Sequence, residues 1–169
     1  MFTPPEQFGI VEKGLYRSDM LHASNFSFIK TLHLKTVIIL SPEVPTRALA
    51  NFLEENNIKL VHLGLRVWKP NLGWKPVSEE LIKDGLEMVL NAANYPILVM
   101  CTSGIHETGT FIGCLRKLQN LNFRRYVNEQ FIELFDMDLI TLPHNLPPWF
   151  IKQRKFWQQE EKEEELKNE

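Results

Sequence analysis

Short apolar runs alternate with amphipathic stretches along most of this chain. The apolar and β-branched runs predict buried strands at residues 9–18 (with a turn at Lys13-Gly14), 36–40, 58–65 and 97–100. Apolar positions that recur every three or four residues predict helices at residues 26–32, 45–55, 76–91, 108–118, within 120–138, and 150–166. This alternation indicates an α/β fold with a central, mostly parallel sheet flanked by helices.

The unit from residue 97 to residue 118 carries the candidate chemistry. Its buried strand ends at Cys101, a connection with two glycines follows, and Thr108 is predicted to cap the next helix. Backbone N–H groups and the positive end of the helix dipole meet at such a junction, which favours anions and the thiolate form of cysteine. The spacing is that of a cysteine phosphatase loop, C-x5-R-[ST], except that Glu107 stands where the arginine belongs.

Composition and charge limit the other classes of function. The 169 residues carry a net charge of −2, which argues against nucleic acid as the main partner. No apolar run approaches the length of a membrane span, and the N-terminal stretch lacks the features of a secretory signal. Cys114 is expected to be a buried hydrophobe. We expect a cytoplasmic protein with one phosphatase-like domain at residues 1–142 and a proline, aromatic and acidic tail at residues 143–169.

Several long segments resemble the plant and fungal atypical dual-specificity phosphatases. They are GLYRSDMLHASNFSFIKTLHLKTVIILSPE, FLEENNIKLVHLGL, GTFIGCLRKLQ and QFIELF, in the order that the family has them. The resemblance implies a compact cysteine dual-specificity phosphatase fold. It also implies the chemistry of the active relatives, which hydrolyse phosphate esters or inositol pyrophosphates through a cysteinyl-phosphate intermediate.

The resemblance places the phosphate loop at Cys101, Thr102, Ser103, Gly104, Ile105, His106, Glu107, Thr108 and Gly109. Cys101 falls on the nucleophile. The family's preceding histidine is Met100, its basic loop residue is Ile105, and its phosphate-binding arginine is Glu107. Residues 66–76, where the general acid is sought, contain no Asp or Glu. No catalytic set is therefore intact, although we expect the N–H groups of residues 103–109 still to face the centre of the loop.

These replacements predict a catalytically inactive, degenerate fungal member of the family. A carboxylate about 4 Å from a bound anion opposes it by roughly 4 kcal/mol at an effective dielectric constant near 20. Such a protein acts by binding, and the resemblance implies association with homologous phosphatase-like chains in a hetero-oligomer. Candidate contact residues are Trp68, Trp74, Phe150, Phe156 and Trp157; the alternative is that these aromatic side chains cover the core.

Two other functions stay open at this point. One is a weakly active or altered enzyme that uses Cys101 with positive charge from His106 or Arg66, acting on protein tyrosine or inositol pyrophosphate substrates. The other is a sensor whose loop binds an inositol phosphate or another anion without hydrolysis, which Glu107 disfavours. No pair of His, Cys or carboxylate residues has metal-ligand spacing, so neither a metal nor a cofactor is expected.

The segment between Gln119 and Gln130 is shorter than the family pattern. Only NLNFRRYVNE separates these two glutamines, where relatives carry a further helical piece. Either the protein has a genuine internal deletion here, or the given sequence omits a segment and is numbered straight through. We predict a discontinuous backbone near residues 122–125.

Overall fold

The computed structural model describes residues 1–67 and 77–168. Its centre is a five-stranded sheet in the order β1-β2-β5-β3-β4. The strands are β1 (Gly9–Glu12), β2 (Leu15–Asp19), β3 (Thr36–Ile39), β4 (Lys59–His62) and β5 (Ile97–Cys101). Strands β1 and β2 form an antiparallel hairpin through the predicted Lys13-Gly14 turn, and the other three pairings are parallel. The predicted α/β fold class is confirmed.

Seven α-helices lie among the described residues, with α1 and α2 on one face of the sheet and α4 and α5 on the other. They are α1 (Phe26–Lys30), α2 (Arg47–Glu55), α3 (Leu63–Arg66), α4 (Glu79–Val89), α5 (His106–Leu118), α6 (Glu129–Leu134) and α7 (Pro148–Lys167). Local capping explains two of the starts. The side chains of Thr46 and Ser78 accept hydrogen bonds from the N–H groups of Leu49 and Leu81 at 3.3 and 3.1 Å.

Strand β5 is buried on both faces, which explains its unbroken apolar sequence. Ile97, Val99 and Cys101 face the core layer beneath α4 and α5. Leu98 and Met100 face the layer beneath α1 and α2. All five residues have no exposed surface, so the strand that leads into the loop is held from both sides.

Two predictions from the sequence are wrong, one about a strand boundary and one about a packed side chain. Residues 63–65 are helical and not strand, and at α3 the chain passes closely over the loop that follows β3. A Cβ at Gly64 would lie 2.2 Å from the carbonyl oxygen of Ser41, so this approach requires glycine. Leu134, predicted on the packed side of its helix, is 73 % exposed, whereas Ile132 and Phe135 are buried.

The segment from residue 119 to residue 130 is a chain of hydrogen-bonded turns. The N–H of Leu121 donates to the carbonyl of Arg116 at 2.8 Å, and the N–H of Tyr126 donates to the carbonyl of Phe123 at 3.1 Å. The predicted discontinuity near residues 122–125 stays a prediction. Lys117 on α5 also contacts the end of α6, donating to the carbonyls of Glu133 and Phe135 at 2.7 and 2.8 Å.

The predicted C-terminal helix is present as α7, which begins at Pro148. Its first turn packs on the main core through Trp149 and Phe150. The division of the chain at residue 142 stays a prediction. No helix in the described parts of the chain combines the length and apolar character that a membrane span needs.

Candidate functional site

The candidate loop joins the end of β5 to the start of α5. Cys101 is the last residue of β5, is fully buried, and lies opposite Asp19 of β2 in the sheet register. Cys101 and Cys114 are both free, and the expected burial of Cys114 is confirmed. Burial raises the pKa of the Cys114 thiol to about 12. Cys101 is thus the cysteine at the loop, and Cys114 belongs to the core.

Strand β2 supports one side of the loop. The Nη2 of Arg17 donates a hydrogen bond to the carbonyl oxygen of Gly104 at 2.9 Å. Gly104 has a φ of 69°, and a Cβ there would lie 2.7 Å from the N of Asp19. Burial lowers the pKa of the Arg17 guanidinium, and the charges of Tyr126 and Cys101 oppose that shift. Sequence reasoning missed Arg17, although the GLYRS segment contained the signal.

The loop that follows β3 supports the opposite side. The N–H of Thr102 donates to the Oγ of Ser41 at 3.1 Å, and the Oγ1 of Thr102 donates to Glu43 Oε2 at 2.6 Å. Because β2, β5 and β3 are adjacent and parallel, their carboxyl ends bring Arg17, Ser41 and Glu43 to the same edge. A carboxylate therefore lies on the loop from this side.

The loop uses several of its own N–H groups. The N–H of Gly104 donates to the carbonyl of Cys101 at 3.2 Å, and the N–H of Ile105 donates to the Oγ of Ser103 at 3.1 Å. The N–H of Gly109 donates to the carbonyl of Ile105 at 2.9 Å. The prediction that all N–H groups of residues 103–109 face the centre is thus wrong for these three.

The predicted cap at Thr108 is also wrong. Helix α5 begins at His106 with Ile105 in the N-cap position, and no side chain caps it. Thr108 lies in the first turn, fully buried, and its Oγ1 has no hydrogen-bond partner among the described residues. The helix starts earlier because Gly104 turns the chain into it with a positive φ. The N–H groups of the first turn are left without intrahelical acceptors.

Carboxylates outnumber available cations around the loop. Glu107 lies in the first turn of α5, half-buried, and forms no ion pair with any described residue. Burial raises the pKa of Asp19, whose Oδ1 is buried without a partner among the described residues. His106 is exposed. Arg66, an alternative source of positive charge, instead lies 3.8 Å from Asp84 of α4.

The candidate contact aromatics divide into three groups. Phe150 is buried and covers the core, whereas Phe156 is 58 % exposed and Trp157 is partly exposed. Trp68 and Trp74 lie outside the described residues, as does most of the segment in which a general acid was sought.

Within residues 1–67 and 77–168, no group of three His, Cys, Asp or Glu side chains is arranged to hold a metal.

Comparison with known proteins gives consistent matches along the chain. The tyrosine phosphatase family matches residues 2–153. A Dictyostelium discoideum protein named "Probable tyrosine-protein phosphatase DG1060" is 44 % identical over 160 positions, covering 86 % of this chain and 95 % of that protein. The inositol diphosphatase DSP3 of Arabidopsis thaliana is 40 % identical over 122 residues, covering 71 % of this chain and 58 % of that protein.

The fold also matches a solved structure. The core catalytic domain of the PP-IP phosphatase SIW14 from S. cerevisiae, in complex with citrate, superimposes with a TM-score of 0.70 at 38 % identity. The match covers 82 % of this chain and 90 % of that domain. The Dictyostelium alignment spans 160 positions, but 86 % of the 169 residues here is only about 145 residues. That protein therefore has about 15 residues that this chain lacks. The chain is shorter than that relative within the matched region.

Proposed function

This chain belongs to the tyrosine phosphatase family, and we propose that it is a member that keeps the fold without turnover. It acts as a subunit or scaffold in cytoplasmic signalling, bound to homologous phosphatase-like chains in a hetero-oligomer. One observation carries the loss of turnover. Glu107 occupies the position of the phosphate-binding arginine, in the first turn of α5, with no cation paired to it in the described residues.

The position of Glu107 has a physical consequence for ligand binding. A carboxylate in the first turn of a helix is stabilised by the dipole, by about 0.3–1 kcal/mol. Glu107 therefore supplies to its own helix the negative charge that a bound phosphate would supply. Its repulsion of a second anion, roughly 4 kcal/mol at 4 Å, exceeds that benefit. The same position that favours Glu107 in the folded chain disfavours a phosphate in the loop.

The remaining replacements support the same proposal. Met100 packs in the core layer under α1 and α2, on the face of the sheet opposite to that of Cys101. It has no titratable group with which to favour the thiolate. Ile105, in the place of a basic residue, is 41 % exposed at the N-cap position of α5. The loop thus keeps its backbone support and loses its cationic side chains.

A second candidate function is a cysteine phosphatase of altered specificity. Arg17 favours it, because this guanidinium donates to the loop carbonyl of Gly104 at 2.9 Å from the strand paired with β5. The relatives also favour it, since their names describe a tyrosine-protein phosphatase and phosphatases of inositol pyrophosphates. In this alternative, Arg17 replaces the missing arginine, and the substrate is a phosphotyrosine peptide or an inositol pyrophosphate.

A phosphate-release assay separates the two functions. Purified wild type, Cys101→Ser and Arg17→Met are incubated with an aryl phosphate, a phosphotyrosine peptide and an inositol pyrophosphate. We expect no release that depends on Cys101, and we expect Cys101→Ser to complement the deleted gene. Release at an ordinary enzymatic rate that both substitutions abolish would establish the altered enzyme instead.

The charge argument has its own test. Glu107→Arg should raise the affinity for inorganic phosphate at least tenfold in calorimetry, because charge-assisted hydrogen bonds contribute about 1.5–3 kcal/mol. Turnover should stay absent in this variant. The matched control is Glu129→Arg, which makes the same charge change in the first turn of α6. Equal phosphate affinity in wild type and Glu107→Arg would show that Glu107 does not control the loop. Co-purification from cells tests the partner proposal separately.

A further inference from the structure

An apolar groove lies between helix α7 and the turn that follows α5. It has a volume of about 670 Å³ and is lined by Leu121 of the turn and by Trp149, Phe156 and Trp157 of α7. Phe156 and Leu121 are 58 % and 45 % exposed, and contiguous apolar surface of this kind marks interaction sites. Because Leu121 comes just after the end of α5, the groove lies at the end of that helix opposite to the phosphate loop. It is a surface separate from the candidate site.

Packing on both sides fixes the shape of the groove. On the turn, the N–H of Leu121 donates to the carbonyl of Arg116 at 2.8 Å. On α7, Phe150 is buried in the core, and Gln153 accepts a hydrogen bond at 3.1 Å from the fully buried Gln119. The groove is therefore formed before any ligand arrives, which lowers the entropy cost that binding must offset.

The groove carries positive charge on one side. Lys152 and Lys155 line it, and neither forms an ion pair with any described residue. Glu12 also lines it, but its Oε1 already accepts hydrogen bonds from Arg116 and Gln119, each at 2.8 Å. The charge of Glu12 is thus neutralised from within the fold, and the two lysines are left for a ligand.

We propose that the groove binds a short segment of a partner protein that is apolar in its middle and acidic at one end. The apolar side chains of the segment cover Phe156 and Trp157, and its carboxylates meet Lys152 and Lys155. Residues 149–159 extend over about 15 Å of helix axis, which matches a segment of about ten residues in a helix. Apolar anchors on one face of a helix are a usual way for a segment to fill such a groove.

Charges beyond the groove set the direction of the bound segment. Glu160 and Glu163 continue the face of α7 that carries Phe156, because residues four and seven positions apart share a helix face. Lys162 lies on another side of the helix, and Lys167 is its last residue. The acidic end of the segment therefore lies over the two groove lysines, and its other end is neutral or basic. The same glutamates disfavour an anionic membrane as the occupant, since it would repel them.

Fluorescence anisotropy with two labelled peptides tests the proposal on the full chain. Each peptide is an amphipathic helix of alanine and leucine, about twelve residues long, with either two glutamates or two lysines in its first turn. The wild type should bind the glutamate peptide at least threefold more tightly than the lysine peptide. Lys152→Glu with Lys155→Glu should reverse that preference. Lys30→Glu with Lys59→Glu, at exposed positions on α1 and β4, is the matched control and should leave it unchanged.

A second pair of variants tests the apolar part of the groove. Phe156→Ala should weaken binding of the glutamate peptide at least fivefold, because it removes the most exposed ring of the lining. Ile151→Ala, at an exposed position of α7 outside the lining, should not weaken it. Circular dichroism verifies that each variant is folded.

Several results would overturn the proposal. They are the absence of peptide binding up to about 1 mM, equal binding of the two peptides, and binding that survives Phe156→Ala. Adsorption to phosphatidylserine vesicles without a preference between the peptides would replace the partner segment by a membrane surface. A mass that rises above 19.8 kDa with concentration, and that Phe156→Ala returns to the monomer, would replace it by a second copy. None of these results depends on phosphate release, so they leave the test of Cys101 separate.

Discussion

Helices α5 and α7 show two ways in which a helix is attached to this fold. In α5, eight of thirteen residues are buried, and the helix packs against the sheet, α4 and α6. In α7, one of twenty residues is buried. The interior of α5 is therefore constrained by packing at almost every position, whereas α7 is constrained at its first turn.

The same contrast between packed and exposed positions divides α5 and its loop. The residues of α5 and its loop that meet the core serve packing and backbone geometry, as Gly104 and Phe111 do. Ile105 and His106 lie on the exposed start of the helix, and Glu107 is half-exposed there. Replacing exposed side chains usually changes stability by no more than about 0.5 kcal/mol. Residues at the exposed start of α5 can thus change while the fold persists.

The largest expected contrast compares one phenylalanine from each helix. Phe111→Ala in α5 should cost about 3–5 kcal/mol of unfolding free energy, because the ring is fully buried. Phe156→Ala in α7 should cost no more than about 0.5 kcal/mol, because its ring is exposed. Urea denaturation measures both, at concentrations that keep the chain monomeric. Similar losses for the two variants would show that α7 is packed as α5 is.

A smaller loss is expected where the loop approaches β2. Gly104→Ala should cost about 1–3 kcal/mol, since its φ is 69° and a Cβ would meet the backbone of Asp19. The control is Gly9→Ala, where a Cβ makes an ordinary contact of 3.4 Å with Arg17 and the loss should stay within about 0.5 kcal/mol. Thermal or urea unfolding measures the difference. Equal stability of the two variants would contradict the close approach of the loop.

Two threonines in the first turns of α5 should respond in opposite directions. Thr108→Val should be neutral or stabilise by up to about 1 kcal/mol, because it removes a buried hydroxyl without a partner among the described residues. Thr110→Val should cost about 1–3 kcal/mol. Its hydroxyl donates to the carbonyl of His106 at 2.8 Å and accepts from Asn128 Nδ2 at 2.7 Å. A loss near 1 kcal/mol for Thr108→Val would instead indicate a capping role.

The smallest effect depends on pH. Burial raises the pKa of Asp19 above its ordinary 3.8, so the folded state holds this proton more tightly than the unfolded state does. The contribution of Asp19 to stability is present below pH 3.8 and is lost as pH rises through the raised value. Asp19→Asn should therefore gain stability relative to wild type as pH rises through that window. Urea unfolding from pH 4 to 8 measures this slope, with Glu161→Gln on α7 as the control; the opposite slope would contradict burial as the cause.

The family pattern made most of the loop residues predictable. The apolar run before Cys101 made it predictable that the loop follows a buried strand. A four-residue apolar run before Cys101 predicts a strand buried on both faces, and β5 is such a strand. The replacement of arginine by Glu107 is visible in the sequence alone. So is the excess of glutamates in residues 160–165, which predicts an exposed helix end and does not predict what covers it.

Contacts between distant segments were decided only by the tertiary structure. Arg17 reaches Gly104 across 87 positions of sequence, and Ser41 meets Thr102 across 61. Parallel neighbours in the sheet bring these residues together, and local periodicity carries no information about strand order. The start of α5 was misplaced for the same reason. Thr108 has the chemistry of a cap, but the fit of Gly104 against β2 sets where the chain turns, so the helix begins two residues earlier.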